Sequence, residues 1–222
     1  NQIQVYNSEK KLIKSTPKYA PAGQSTQMIV GATGESDKDI MYSAVHYYAT
    51  YKMKRVYYSG YVPVLEDSRL PALTTEVPML RENRLYQTDW LLRFYGFDVR
   101  ELLNDTHPNL DVDVDPKLSW ALRNLQHFPV DINKADKRML ARIPGLGMKS
   151  VNKVINARRY RKLNWEHLKA IGVALNRAKF FITCESRNWE RRDLSAEKIK
   201  GMILQGSASK YNKFYNNQLT LF

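Results

Sequence analysis

Apolar residues recur along this chain with two different periods, and the changes of period divide it into elements. Met28-Ile29-Val30-Gly31-Ala32 is a short apolar run with β-branched residues, the composition of a buried strand. After the turn Thr33-Gly34-Glu35, residues Ile40, Met41, Ala44, Val45 and Tyr48 fall on one helical face, and Ser36 and Asp39 have capping-box spacing. Val56 to Val62 reads as a second strand, ended by Pro63. Strand, helix and strand with short links predict a parallel βαβ unit, right-handed by the general rule. Beyond a loop holding Pro71 and Pro78, Glu82 to Tyr95 predicts a helix closed by Gly96, with Trp90 in the core beside Leu85 and Leu91. Asp98 to Leu103 predicts a shorter helix. Leu118, Ala121, Leu122 and Leu125 share a face behind Asp115 as N-cap and Pro116 at the first helical position.

From Asn133 the helical period returns in two short bursts. Ala135, Met139, Leu140 and Ile143 lie on one face, and Val151, Val154 and Ile155 on another. Asn133 stands where an N-cap is expected, with Asp136 three residues on. Between the bursts, Pro144-Gly145-Leu146-Gly147 is a tight turn, because glycine adopts backbone conformations that other residues resist. The amides of Gly147, Met148 and Lys149 then open the second helix. Free amides at a helix start attract anions, and Lys149 and Lys153 add charge beside them. Asn164 caps a further helix through Lys169, Ile171-Gly172-Val173-Ala174 makes a second turn, and Asn176 to Thr183 predicts a last helix with Ala178, Phe181 and Ile182 inward.

Charge points the same way. Residues 1–116 hold 13 Lys/Arg against 15 Asp/Glu, a net of −2; residues 117–222 hold 22 against 7, a net of +15. The turn therefore lies in the basic half, where a nucleic-acid binder carries its electrostatic footprint. Arg158-Arg159-Tyr160-Arg161-Lys162 reads equally as a solvated basic linker or as further backbone contact. A basic surface alone fits RNA, DNA or an anionic membrane, and it is the turn between the two helices that tips the reading toward DNA. No apolar run approaches the ~20 residues of a membrane span; with a single cysteine, the expected setting is cytoplasmic and nucleoid-associated. The single cysteine, Cys184, excludes an internal disulfide and a cysteine metal site, and it reads as a packed thiol. Asp111-Val112-Asp113-Val114-Asp115 invites a calcium reading, but Pro116 and Leu122 stand where such a loop needs Gly and Glu, and no metal is expected.

The stretch Asn133–Arg159 resembles a helix–hairpin–helix motif, which grips a DNA phosphate with its hairpin backbone and ignores base identity. That resemblance implies DNA contacts from Gly145, Leu146, Gly147, Met148, Lys149, Ser150, Lys153, Arg158 and Arg159. The second turn lacks Gly-x-Gly, so its role reads as structural. Upstream, Ile29-Val30-Gly31-Ala32-Thr33-Gly34-Glu35-Ser36-Asp37 is similar to a late strand–turn–helix of radical S-adenosylmethionine enzyme barrels, which implies cofactor-facing positions at Gly31, Gly34 and Glu35. A barrel segment followed by such a hairpin resembles the C-terminal portion of the DNA modification/repair radical S-adenosylmethionine protein family. Ala20 to Gln27 and Leu85 to Phe97 add to the resemblance, which covers about Tyr19 to Cys184. The family implies S-adenosylmethionine and a [4Fe–4S] cluster in a complete protein, and a uracil-DNA-glycosylase-like partner. One cysteine cannot supply the three thiolates of such a cluster, so this chain alone is expected to be inactive and without a cofactor.

The expected architecture is α+β and mainly helical: a βαβ region over 1–80 as the late part of a partial TIM barrel, a helical connector over 81–128, a paired helix–hairpin–helix domain over 129–185, and a basic tail over 186–222. The tail ends Gln218-Leu219-Thr220-Leu221-Phe222. This resembles the bacterial sliding-clamp-binding peptide, which implies clamp contacts from Gln218, Leu219, Leu221 and Phe222. The expected function is sequence-independent binding of double-stranded DNA by part of a larger protein. The competing readings are a non-enzymatic DNA-binding adaptor that recruits another repair protein, and an RNA-binding protein. The absence of an initiating Met marks the chain as an expected fragment.

Overall fold

The computed structural model describes residues 2–10, 22–184 and 194–206. They form a mainly helical α+β arrangement with two small parallel sheets. The chain divides into two compact units, Asn1–Asp89 with Asp98–Val112, and Trp90–Phe97 with Asp113–Phe222. The stretch 81–128 is thus shared between them.

In the first unit, α1 (Gln2–Glu9) precedes β1 (Ser25–Val30), α2 (Asp37–Thr50) and β2 (Arg55–Gly60). The two strands pair in parallel, from Ser25 opposite Arg55 to Val30 opposite Gly60, so the βαβ unit is present. Strand β1 stops before Ala32 because Gly31, at φ +82°, turns the chain. The capping box at α2 forms: the Ser36 side chain accepts from the Asp39 amide, and the Asp39 side chain accepts from Ser36. Val30, Ile40, Met41, Ala44, Val56 and Tyr58 are buried together with Leu85 of α3 (Met79–Phe94) and Leu102 of α4 (Val99–Leu102).

The outer side of β2 is closed by side chains. The amides of Val56, Tyr58 and Gly60 donate to the Tyr48 hydroxyl (3.1 Å), the Tyr86 hydroxyl (3.0 Å) and the Glu82 carboxylate (2.8 Å). These alternate amides are the ones a further strand would pair with, so β2 is a terminal strand.

Residue Trp90 departs from expectation. It is 53% exposed, with its ring centroid 4.4 Å from that of Phe94. The inward positions of α3 are taken instead by Leu85, Leu91 and two polar residues. Thr88 donates back to the Arg84 carbonyl, and Asp89 accepts from the Tyr48 hydroxyl at 2.6 Å. Buried polar residues on the inward face displaced the helical phase that hydrophobicity suggested.

The second unit contains α5 (Pro116–Arg123), a 3₁₀ turn (Leu125–His127), β3 (Val130–Asp131), α6 (Lys137–Arg142), α7 (Met148–Ala157), α8 (Trp165–Ile171), α9 (Leu175–Ala178), β4 (Ile182–Thr183) and α10 over 196–206. Asp115 caps α5 with Pro116 opening it. The last helix of the hairpin pair ends at Ala178 rather than Thr183. Ile182 and Thr183 are extended there, and the carbonyls of Phe181 and Thr183 accept from the amides of Val130 and Ile132 to build the β3–β4 pair. The core gathers Leu118, Leu140, Ile143, Val151, Val154, Leu163, Leu168, Phe181 and Ile203.

The cap of α6 is Asp136, whose carboxylate accepts from the Met139 amide at 2.6 Å, and not Asn133. Asn133 lies in a turn organised by Asp131 and clasps a later segment: its side chain accepts from the Leu163 amide (2.8 Å) and donates to the Leu163 carbonyl (3.1 Å). No helix among the described residues is long and apolar enough to cross a membrane.

Candidate nucleic-acid interface

Helices α6 and α7 are joined through Ile143, Pro144, Gly145, Leu146 and Gly147, with Ile143 and Leu146 buried beneath the turn. The two glycines have different tasks. Gly145 sits at φ +88°, and a Cβ there would lie 2.7 Å from the Ala174 carbonyl oxygen. The Ala174 amide also donates to the Gly145 carbonyl at 3.0 Å. The two turns are therefore locked to each other, and the Ala174 amide is committed to the first turn. Gly147 has an ordinary φ of −80°, and a Cβ there would come no closer than 3.8 Å to a neighbouring atom, the Tyr95 hydroxyl. Its lack of a side chain leaves the mouth of the turn open rather than relieving strain.

Gly147 is exposed and is the N-cap of α7, and has no side chain of its own to cap that helix. Lys149, Asn152, Lys153 and Asn156 form its exposed face, while Ser150, Val151 and Val154 are buried. Arg159 is exposed beyond its end. Residues Leu146 and Ser150 serve the interior, the Ser150 hydroxyl donating to the Gly172 carbonyl at 3.4 Å. Arg158 is likewise turned to the fold, donating to the carbonyls of Ala135 (2.6 Å) and Ile132 (3.2 Å). These backbone oxygens face it across the hairpin, so its guanidinium ties α7 to the approach of α6. The mouth is thus framed by Gly147, Met148 and Lys149, with Lys153 a turn further along α7. It is shaped from beneath by Gly145, Leu146 and Ser150, while Arg158 and Arg159 stand at the opposite end of that helix.

Two buried cations lie behind the turn. The Lys117 ammonium donates to the Leu146 carbonyl at 2.6 Å and stands 4.8 Å from the centre of the Tyr95 ring. Burial drives its pKa down to about 7; the Asp115 carboxylate opposes that fall, and Arg177 and Arg142 reinforce it. Arg177 pairs with Asp115. Arg142 lies over Phe97 (4.4 Å) and Trp120 (5.6 Å) and donates to the Gly96 carbonyl at 3.3 Å. Helical spacing alone puts Lys117 inward, four residues before Ala121; its charge argues for the surface, and only the facing Leu146 carbonyl resolves the conflict. His167 also has a defined place, accepting from the Asn164 amide (3.1 Å) in a capping box at α8.

In the first unit, the loop Gly31–Glu35 closes on itself. The Glu35 carboxylate accepts from the Gly31 amide (2.8 Å) and from the Thr33 hydroxyl. Burial pushes its pKa up, but those hydrogen bonds and Arg81 outweigh it and hold the carboxyl below its ordinary value. Arg81 also donates to the Glu35 carbonyl and pairs with buried Asp37 at 2.6 Å. Gly34 is exposed and a Cβ there would meet nothing within 4 Å. Glu35 is accordingly a loop clasp, and only the Gly34 end of the stretch is open. Cys184 is buried. Gln218, Leu219, Leu221 and Phe222 lie outside the described residues.

No family model, no curated protein and no solved structure matches this chain.

Proposed function

We propose that the second unit binds double-stranded DNA without regard to sequence, holding a backbone phosphate at the mouth of the Gly145–Lys149 turn. The observation that carries this reading is the start of α7. Its N-cap is an exposed glycine with no side-chain cap, and Lys149 and Lys153 stand on the exposed face of the same helix. The Met148 amide already donates to the Tyr95 hydroxyl, so it is the neighbouring amides of the turn and the helix dipole that favour an anion there, and the lysines add charge that contacts phosphates without reading bases. A net charge of +15 over residues 117–222 supports the same partner.

In this proposal the first unit is the late part of a partial radical S-adenosylmethionine barrel, and the chain is the DNA-binding portion of a modification or repair protein. The closed outer side of β2 suits the last strand of an open barrel. The residues present do not fit an iron–sulfur cluster, since Cys184 is the sole cysteine and is buried. No chemical step is therefore assigned to this chain. Gln218 to Phe222 are proposed to dock on a sliding clamp.

The test is competition. A labelled duplex should be displaced equally by unlabelled duplexes of unrelated sequence and less well by duplex RNA. Displacement by RNA in preference to DNA would move the reading to an RNA-binding protein, and strong preference for one DNA sequence would contradict a backbone grip.

A further inference from the structure

Lys117 is buried at the start of α5, yet its ammonium reaches the turn that frames the proposed phosphate site. The acceptor is the carbonyl of Leu146, and the next amide in the chain belongs to Gly147. A trans peptide points its C=O and N–H in opposite directions. Drawing the Leu146 oxygen inward at 2.6 Å therefore turns the Gly147 N–H outward. Tyr95 completes the underside. Its ring lies 4.8 Å from the Lys117 nitrogen, and its hydroxyl accepts from the Met148 amide at 3.4 Å.

The charged groups that face Lys117 are Asp115, at the cap of its own helix, Arg177 of α9 and Arg142 of α6. Asp115 is shared with Arg177. A buried ammonium in such company is stabilised by any anion that settles on the far side of the peptide it holds.

We propose that Lys117 is the positioning residue of the hairpin's phosphate grip: it fixes the Leu146–Gly147 peptide with the amide outward, and a DNA phosphate bound there stabilises its ammonium form, so phosphate and proton are taken up together. The inference rests on the hairpin reading above. Its pH signature follows from burial, which lowers the Lys117 pKa to about 7 in the free protein. A bound phosphate raises it. Binding is then strongest below about 7 and weakens as pH rises through the higher, bound value. Other groups, such as an α-amino group or a thiol, also titrate between pH 7 and 9, so it is the comparison with the Lys117 variants that assigns the pH dependence to Lys117.

The experiment measures duplex affinity by fluorescence anisotropy at pH 7, 8 and 9 for the full chain and for Lys117→Met, Lys117→Gln, Gly147→Val and Lys149→Ala. Thermal melts check each fold. Calorimetry of the unsubstituted chain, in two buffers of different ionisation enthalpy at pH 7.5, counts protons taken up on binding. The expected result is an affinity that falls by up to about tenfold from pH 7 to 9, one pKa unit of linkage being tenfold, with net proton uptake. Both Lys117 variants should bind more weakly at pH 7, and their affinity should vary less with pH. If a folded Lys117 variant keeps the full pH dependence, or if the unsubstituted chain takes up no proton, the inference is overturned. Should both Lys117 variants fail to fold, the proton count alone decides. Failure of the hairpin reading looks different: Gly147→Val and Lys149→Ala would then bind like the unsubstituted chain.

Discussion

At the scale of single residues, the two glycines of the turn have different structural tasks. Gly145 occupies a left-handed conformation with the Ala174 carbonyl 2.7 Å from where a Cβ would be. Gly145→Ala should therefore destabilise the second unit by ~1–3 kcal/mol or more, from backbone strain and the displaced neighbour. Gly147→Ala should cost less, about 0.5–1 kcal/mol, because Ala is a poorer N-cap than Gly but the backbone is unstrained and the surroundings open. Melts of the two variants check this, and equal losses would show that the assigned roles are wrong. Lys117 makes a second residue-scale prediction. Its pKa falls from an ordinary 10.5 to about 7 on folding. Between those values the unfolded chain holds a proton that the folded chain lacks, so unfolding free energy rises with pH across that window. Urea titrations at pH 7, 8 and 9 should show this rise, and Lys117→Met should flatten it.

At the scale of elements, the caps show what sequence spacing can and cannot resolve. Ser36 with Asp39, Asp98 with Glu101, Asp115 with Pro116, and Asn164 all start helices as local rules suggest, because a cap involves only residues three or four apart. Asn133 and Asp136 both have the right chemistry for α6. The choice between them depends on Leu163, thirty residues away, which occupies Asn133 through both its amide and its carbonyl. Asp136→Ala should cost about 1 kcal/mol as a lost cap. Asn133→Ala leaves partly buried backbone groups without partners and should cost about 1–3 kcal/mol. Chemical denaturation of both variants orders them; a larger loss at Asp136 would contradict the clasp. The same limit explains β3 and β4. Two-residue strands have no periodicity to read, and only their mutual pairing stops α9 at Ala178.

At the scale of the whole molecule, the change of charge near residue 116 was visible along the chain, but the division into two units was not, because Trp90–Phe97 belongs with Asp113–Phe222 and no composition change marks that stretch. The mouth of the turn was legible too, since a Gly-rich link between two apolar helical faces has few other solutions. Its supports were not: Lys117, Tyr95 and Arg142 come from three separate stretches and meet only in the fold. The terminal Gln218–Phe222 peptide makes its prediction from sequence alone. Exposed Leu and Phe gain ~1.5–3 kcal/mol each on burial, while ordering costs ~1–2 kcal/mol per residue. Clamp binding by this peptide should therefore be weak, reinforced by DNA on the same template. Purified clamp should bind the full chain at micromolar concentration and should not bind a chain ending at Asn217. Equal binding by both would rule the peptide out.

The central claim is that the hairpin grips phosphate by backbone and charge, and the salt dependence of duplex binding tests it most directly. The affinity of the chain for two duplexes of unrelated sequence should fall together as salt rises, with one common slope. Each lysine that contacts a phosphate contributes roughly one unit to that slope. The Lys149→Ala and Lys153→Ala double variant should therefore bind both duplexes more weakly, with a slope shallower by about two. An unchanged slope in the double variant, or slopes that differ between the two sequences, would contradict the account.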